Sequence, residues 1–303
     1  MPKLVPIPTP MLGVPFRVRD GLDNGLSASR MRSPDLARPL WGVRTPDDGP
    51  LALSALCRAY LARAHESAFF SHATAAALWE IPLPGWLAAR PGLDVAVPFP
   101  KRAPAAEQIR AHKLAIKPGD VVMLDGLPVT SPPRTILDLA RMLRPEDLLA
   151  AIDSVLWHRR PLVDRDQLLS RLEGFAGRGA RALAAVLPEV TDHSDSSPES
   201  VIRWRVIQFG LPHPEINVPV IEHGIFLAQP DLIYRRYRMA FDYEGDHHRT
   251  DPVQWQKDLA RVPRLQDAGW HHTRISAQDL RDSREFLARL SRQLRARGWS
   301  PSN

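Results

Sequence analysis

The stretch MAFDYEGDHHRTD, residues 239–251, crowds carboxylates and imidazoles behind one extended run, and its reading decides the fold of the C-terminal half. Side chains alternate along a strand, so Met239, Phe241 and Tyr243 share one face while Ala240, Asp242 and Glu244 share the other. One face packs and the other presents two acids. Side-by-side carboxylates repel unless positive charge lies between them, and a divalent metal supplies it where nothing basic stands within the strand. The alternative is a hairpin end with solvated charges, turning at Gly245.

Working outward from this strand, SSPESVIRWRVIQFGLP (196–212) is a helix with a Ser cap, Pro198 in its first turn and a stop at Gly210 and Pro212. Ser196 and Glu199 match the S-x-x-E capping box, which is a sufficient structural reason for Glu199. INVPVIEHGIFLAQPDLIY (216–234) reads as two strands joined around Glu222 to Gly224, with Asp231 emerging from the second. Adjacent strands would bring Asp231 and Asp242 within a few ångströms, where oxygen ligands can share one hard cation. A helix over WQKDLARVPRLQDAG, interrupted at Pro263, a strand over WHHTRIS and a last helix from Ala277 complete the order: helix, three strands, helix, strand, helix.

The 303 residues suggest two domains, each large enough for a core without staples. The single cysteine, Cys57, excludes a disulfide framework and a Cys-based zinc site. The proline-rich start MPKLVPIPTPMLGVPF does not read as a signal peptide, and no stretch approaches a membrane span, which points to a cytoplasmic protein. The net charge of +6 suits a polyanion partner and equally plain solubility, and its excess is shared about evenly between the two halves.

In the N-terminal segment, GLDNGLSASRMRSPDLARPLWGVRTP places Gly25 at a turn between two short helices, the second around Ser29 to Arg32, followed by a strand or wing. That order is winged-helix-like, with Arg30 and Arg32 set to reach phosphates or base edges. From Ser54 to about Arg160 helices alternate with short strands. The strands fall over LDVAVPF and VVMLDGLPVT, and a proline-started helix covers SPPRTILDLARML. Arg134 and Asp138, four apart on that helix, form a structural ion pair. The Gly-rich and Asp/Ser-rich stretch before Ser196 marks a boundary near residues 190–196. The resulting domains are 1–50, 51–190 and 196–298.

The element order, together with SPES, GLPHPEINVPV, PDLIY, FDYEGDHH and KDLARVPRLQDAGWHHTRIS, resembles the domain of unknown function 559 family. That family is grouped with the very-short-patch-repair endonucleases of the PD-(D/E)XK nuclease superfamily. The segments GLSASRMRSPDLARPLWGVRTP, FFSHATAAALWEIPLP and VTSPPRTILDLARML resemble the AbiEi family of type IV toxin-antitoxin antitoxins. The fold class implied is α/β (α+β): a winged-helix-like and mixed antitoxin-like region, then a restriction-endonuclease-like domain whose central mixed sheet is flanked by helices.

The nuclease resemblance implies that Asp231 is the acid of the PD element, Asp242 the acid of the (D/E)XK element, Glu199 a helix acid that completes the site, and His248 a histidine after the Gly. It implies Mg²⁺ or Mn²⁺ held by Asp231, Asp242 and the Tyr243 carbonyl. Two departures stand out. Glu244 occupies the position of the superfamily lysine, so Glu244 or His248 would have to orient the water. The family's E-x-D-G also appears here with its acids exchanged.

His247 reads as a solvated neighbour, Asp258 and Arg261 as a surface pair that the family pattern puts near the site, and one of His271 and His272 as a buried, hydrogen-bonded histidine that is not a metal ligand. The implied function is a metal-dependent DNA endonuclease in repair, phage defence or a toxin-antitoxin context. The alternative is a catalytically inactive, DNA-binding transcriptional regulator of AbiEi type. DNA is the partner in both, with a cognate toxin in the second; the sequence fixes no oligomeric state.

Overall fold

A computed structural model describes residues 5–46, 52–244 and 262–301. The chain falls into two units, Met1–Leu139 and Ala140–Asn303. No helix among the described residues is long and apolar enough to cross a membrane.

In the first unit, β1 (Phe16–Arg17) pairs antiparallel with β2 (Val43–Arg44). Between them lie α1 (Val18–Asp23) and a single 3-10 turn at Arg30–Arg32. Gly25, at φ 84°, makes the turn expected between the two helical pieces, a conformation that costs glycine little. The second piece is shorter than expected because Ser33-Pro34 follows it and the residue before a proline is driven to extended backbone. Phe16, Leu26, Met31 and Leu36 close a small core beneath this module.

The rest of the unit comprises α2 (Leu53–Leu61), β3 (Phe69–Phe70), α3 (His72–Leu78), α4 (Gly85–Ala88), β4 (Leu93–Pro98), β5 (Ile109–Leu114), β6 (Val121–Leu124), β7 (Leu127–Thr130) and α5 (Pro132–Leu139). The strands form one sheet in the order β5-β4-β3-β7-β6. The run LDVAVP is buried on both faces, as expected of a strand covered on both sides: Leu93, Val95 and Val97 enter one apolar cluster and Ala96 another. Asp94 is the polar exception within it. Burial would raise its carboxyl, but hydrogen bonds from His112 and Arg110 outweigh burial and hold it down to about 2.

The second unit opens with α6 (Pro145–Leu156), α7 (Arg165–Glu173), α8 (Ala180–Val186) and α9 (Ser197–Gln208). Asp153 of α6 accepts from Arg203 Nη2 at 2.6 Å and Ser200 Oγ at 2.7 Å, both on α9, and from the Thr191 N–H at 2.9 Å. This buried network gathers the helices after residue 140 with α9. The division into two units falls at Leu139, and the 190–196 stretch lies within the second of them.

Next come β8 (Glu215–Ile216), β9 (Val220–Glu222), β10 (Ile225–Ala228), β11 (Leu232–Tyr234), β12 (Met239–Glu244), α10 (residues 262–267), β13 (His271–Ser276), α11 (Ala277–Arg281) and α12 (Ser283–Ala296). The two strands expected over residues 216–234 are four short ones. β9 and β10 form a separate hairpin, and Asp231 stands between β10 and β11. The remaining strands make a mixed sheet, β13-β12-β11-β8, in which only β12 and β13 are parallel. Alternation along β12 holds: Met239 and Phe241 pack with Ile202, Val206 and Leu290, while Ala240 packs on the other side with Val220, Ile233 and Trp270.

Candidate functional site

Leu232 pairs with Phe241 in the antiparallel ladder of β11 and β12, and Asp231, the residue just before β11, lies beside Asp242 of β12. Each carboxylate accepts a backbone N–H from the other's segment. The Asp231 N–H donates to Asp242 Oδ1 at 3.2 Å and the Tyr243 N–H to Asp231 Oδ2 at 2.7 Å. The N–H and C=O of one strand residue point to the same side, so the Tyr243 carbonyl also faces the Asp231 side.

His272, opposite Ala240 in the parallel pairing of β12 and β13, shares the Asp242 face of the sheet. Its side chain is only 4% exposed, and its Nε2 lies 2.5 Å from Asp242 Oδ2. An ionised carboxylate offers only acceptors, so the imidazole nitrogen is the donor. His272 is thus the buried, hydrogen-bonded member of the histidine pair, whereas His271 Nε2 lies 3.1 Å from the Thr273 hydroxyl.

Glu199 is buried at the start of α9 and bonded three ways. The Ser196 hydroxyl donates to its Oε1 at 2.6 Å, and the Asp195 N–H and Asn217 Nδ2 donate to Oε2 at 2.9 and 2.7 Å. The expected capping box does not form: the Ser196 side chain accepts no bond from the helix, and Glu199 takes the Asp195 N–H and the Ser196 hydroxyl instead of the Ser196 N–H. Burial pushes the Glu199 carboxyl up despite these bonds. Asn217 also donates its backbone N–H to the Asp231 carbonyl at 3.0 Å, which links Glu199 to the acid pair through one residue. At φ 50° Asn217 takes the left-handed conformation that asparagine tolerates.

Glu244 lies at the exposed end of β12 and pairs with Arg274 Nη1 at 2.6 Å. His247, His248, Asp258 and Arg261 lie outside the described residues. Among the described residues no group of three or more His, Cys, Asp or Glu side chains is arranged to hold a metal ion. What the sheet brings together is two neighbouring carboxylates, one imidazole donor and one backbone carbonyl.

In the first unit Arg30 is buried rather than presented to a partner. It is 6% exposed, forms a bidentate pair with Asp35 at 2.7 and 2.8 Å, and donates through Nε to the Val5 carbonyl. The 3-10 turn points Arg30 into the small core's rim and leaves Arg32 exposed. Arg38 Nη2 donates to the Arg32 carbonyl at 2.8 Å, and Arg44 Nε to the Met31 carbonyl. Burial and the neighbouring Arg38 guanidinium lower the pKa of Arg44, a mark of positive charge gathered at this turn. Arg134 and Asp138 do form the expected ion pair, at 2.8 Å.

The roles of His272, Asn217 and Arg38 are absent from a motif-based inventory. The signal for His272 is parity: on a strand beside β12 it falls on the acid face, together with Arg274.

Residues 73–189 match the family model of the AbiEi antitoxin C-terminal domain, a segment that runs across the division between the two units. The match stops short of residues 196–298, on which the nuclease resemblance rests. Two Mycobacterium tuberculosis proteins, the uncharacterized MT2308 of strain CDC 1551 and Rv2248 of strain H37Rv, are each 31% identical over 173 residues, 56% of this chain and 63% of theirs. The chain thus spans less than two thirds of the length of these relatives. The crystal structure of the RV2827C protein from Mycobacterium tuberculosis aligns at 16% identity and a TM-score of 0.41, covering 58% of this chain and 71% of that one, too distant a likeness to carry argument. An AbiEi antitoxin-family domain is therefore present in residues 73–189 of this chain.

Proposed function

We propose that the chain is an antitoxin-type regulator of the AbiEi class, acting in the cytoplasm with DNA and a cognate toxin as its partners. The observation that carries this proposal is the family match over residues 73–189. The exposed Arg32, with Arg38 and Arg44 beside it, supports phosphate contact at the N-terminal turn, since clustered guanidiniums supply the salt-dependent part of DNA affinity. In this proposal the C-terminal sheet keeps a nuclease-like topology without turnover; a fold by itself implies no activity.

A second proposal is metal-dependent hydrolysis of DNA phosphodiesters, with Mg²⁺ or Mn²⁺ at Asp231, Asp242 and the Tyr243 carbonyl and with Glu199, Glu244 and His248 around it. One observation favours it: Asp231, just before β11, lies beside Asp242 of β12, with the Tyr243 carbonyl aimed at the same side.

One assay separates the two. Supercoiled, linear, mismatched and single-stranded DNA are incubated with the full chain and Mg²⁺ or Mn²⁺, and binding and cleavage are read for the wild type, Asp231→Ala and Asp242→Ala. Binding without cutting, unchanged in both variants, is the outcome expected for the regulator. Cutting that disappears in both variants would replace it with the hydrolase.

A further inference from the structure

Two carboxylates brought side by side, as Asp231 and Asp242 are at the end of the β11–β12 ladder, need something between or beside them that offsets their repulsion. In a hydrolytic centre a divalent cation does this, drawing a carboxylate oxygen to within about 2.1 Å. In this sheet Asp242 Oδ2 already lies 2.5 Å from His272 Nε2, and Oδ1 accepts the Asp231 N–H. The imidazole is not a passing surface group. Its side chain is 4% exposed, its strand is fixed beside β12 by six consecutive register pairs from Met239↔His271 to Glu244↔Ser276, and its neighbour on the same face is the buried Ala240.

We infer that His272 takes the place at Asp242 that a divalent cation would hold, so that the carboxylate pair is closed by a donor the chain carries itself. The pair is then a fixed piece of the sheet, and the cation is opposed by the donor at Asp242 Oδ2 rather than missing for want of acids. A compact cation at that oxygen would share it with the imidazole N–H, whose positive end opposes the cation.

This inference goes beyond DNA or toxin binding and stands only on the C-terminal sheet. Failure of DNA binding at Arg32 leaves it intact, and its own failure leaves the family match intact.

The test is titration of the full-length chain with Mn²⁺, read by electron paramagnetic resonance of the free ion and by calorimetry. The variants are His272→Val, His272→Gln and His272→Val combined with Asp242→Asn. The wild type is expected to show no stoichiometric Mn²⁺ site through the millimolar range. His272→Val gains one site at least about tenfold tighter than any wild-type binding, a change of about 1.4 kcal/mol. The site is lost again in the double variant. His272→Gln, which keeps an N–H donor near Asp242 Oδ2, behaves as the wild type.

One Mn²⁺ bound to the wild type and lost in Asp242→Asn overturns the inference, and it does so even if the valine variant does not fold. A folded valine variant with no site overturns it equally, because the pair would then have no affinity for a cation that the imidazole could replace.

Discussion

Asp94 in the first unit and Asp242 in the second are both strand aspartates bonded by a histidine from a neighbouring parallel strand, yet their surroundings differ in sign. Asp94 Oδ1 has His112 Nε2 at 2.9 Å, and a guanidinium joins it: Arg110 Nη2 lies 2.7 Å from Oδ2 and Nε 3.0 Å from Oδ1. Asp242 has His272 Nε2 at 2.5 Å, and what lies beside it is a second carboxylate, Asp231. The first arrangement is what a buried acid needs in order to stay charged inside a sheet. The second sets two acids side by side at the end of a ladder. The same Asp–His pairing thus serves structure where an arginine completes it, and marks a candidate site where another acid does.

Breaking the first arrangement should cost most. Arg110→Ala leaves Asp94, 1% exposed, with an imidazole alone, and is expected to destabilise the first unit by about 3 kcal/mol, the low end for breaking a buried pair because Arg110 is itself 18% exposed. Asp242→Asn keeps the shape and the Oδ1 acceptor, so it should cost less, about 1 kcal/mol. Urea denaturation of both variants checks the contrast. Equal losses would mean that the arginine is not what distinguishes the two aspartates.

The pH dependence sharpens it. Asp94 is held down to about 2, so its contribution, roughly 2.5 kcal/mol, is present above its unfolded value near 4 and is lost as pH falls from about 4 to 2. Asp138 has the opposite sign. Burial pushes its carboxyl up to about 6 against the pull of Arg134, and its Oδ2 has no hydrogen-bond partner among the described residues. A folded-state value above the unfolded one means that the folded unit binds the extra proton. Stability therefore declines by roughly 3 kcal/mol as pH rises from about 4 to 6. Unfolding midpoints against pH should show both arms around a maximum near pH 4. Asp94→Asn should flatten the acid arm and Asp138→Asn the other. An arm that survives its own variant would assign that arm to other groups.

How much of this was legible follows from the range of the interaction. The two faces of β12 were readable because alternation within MAFDYE is local, and so was the Arg134–Asp138 pair at a spacing of four. The order of elements around the C-terminal sheet was readable only in outline, since four short strands stand where two were expected. The inclusion of α6 in the second unit was not, since Asp153 meets Arg203 fifty residues further on. His272 became an Asp242 partner only through a parallel register set across 30 residues, which no periodicity encodes. The Arg30–Asp35 pair is near in sequence, but a basic residue in a short turn looks the same whether it points inward to an acid or outward to a phosphate.

That ambiguity yields the smallest expected effect. Arg30→Ala leaves Asp35 without its bidentate partner and should disturb the small core rim, so any loss of DNA affinity there follows loss of folding. Arg32→Ala removes an exposed guanidinium with no such duty. Its stability should stay within about 0.5 kcal/mol of the wild type, while DNA affinity falls by the same factor on every sequence and the dependence of log affinity on log salt becomes shallower by about one. Fluorescence anisotropy at several salt concentrations measures both. An unchanged slope in Arg32→Ala, with folding intact, would remove the N-terminal turn from the DNA-binding surface. It would also leave the first unit's acid–arginine pairs and the second unit's acid pair as parts of a protein whose nucleic-acid contacts lie elsewhere.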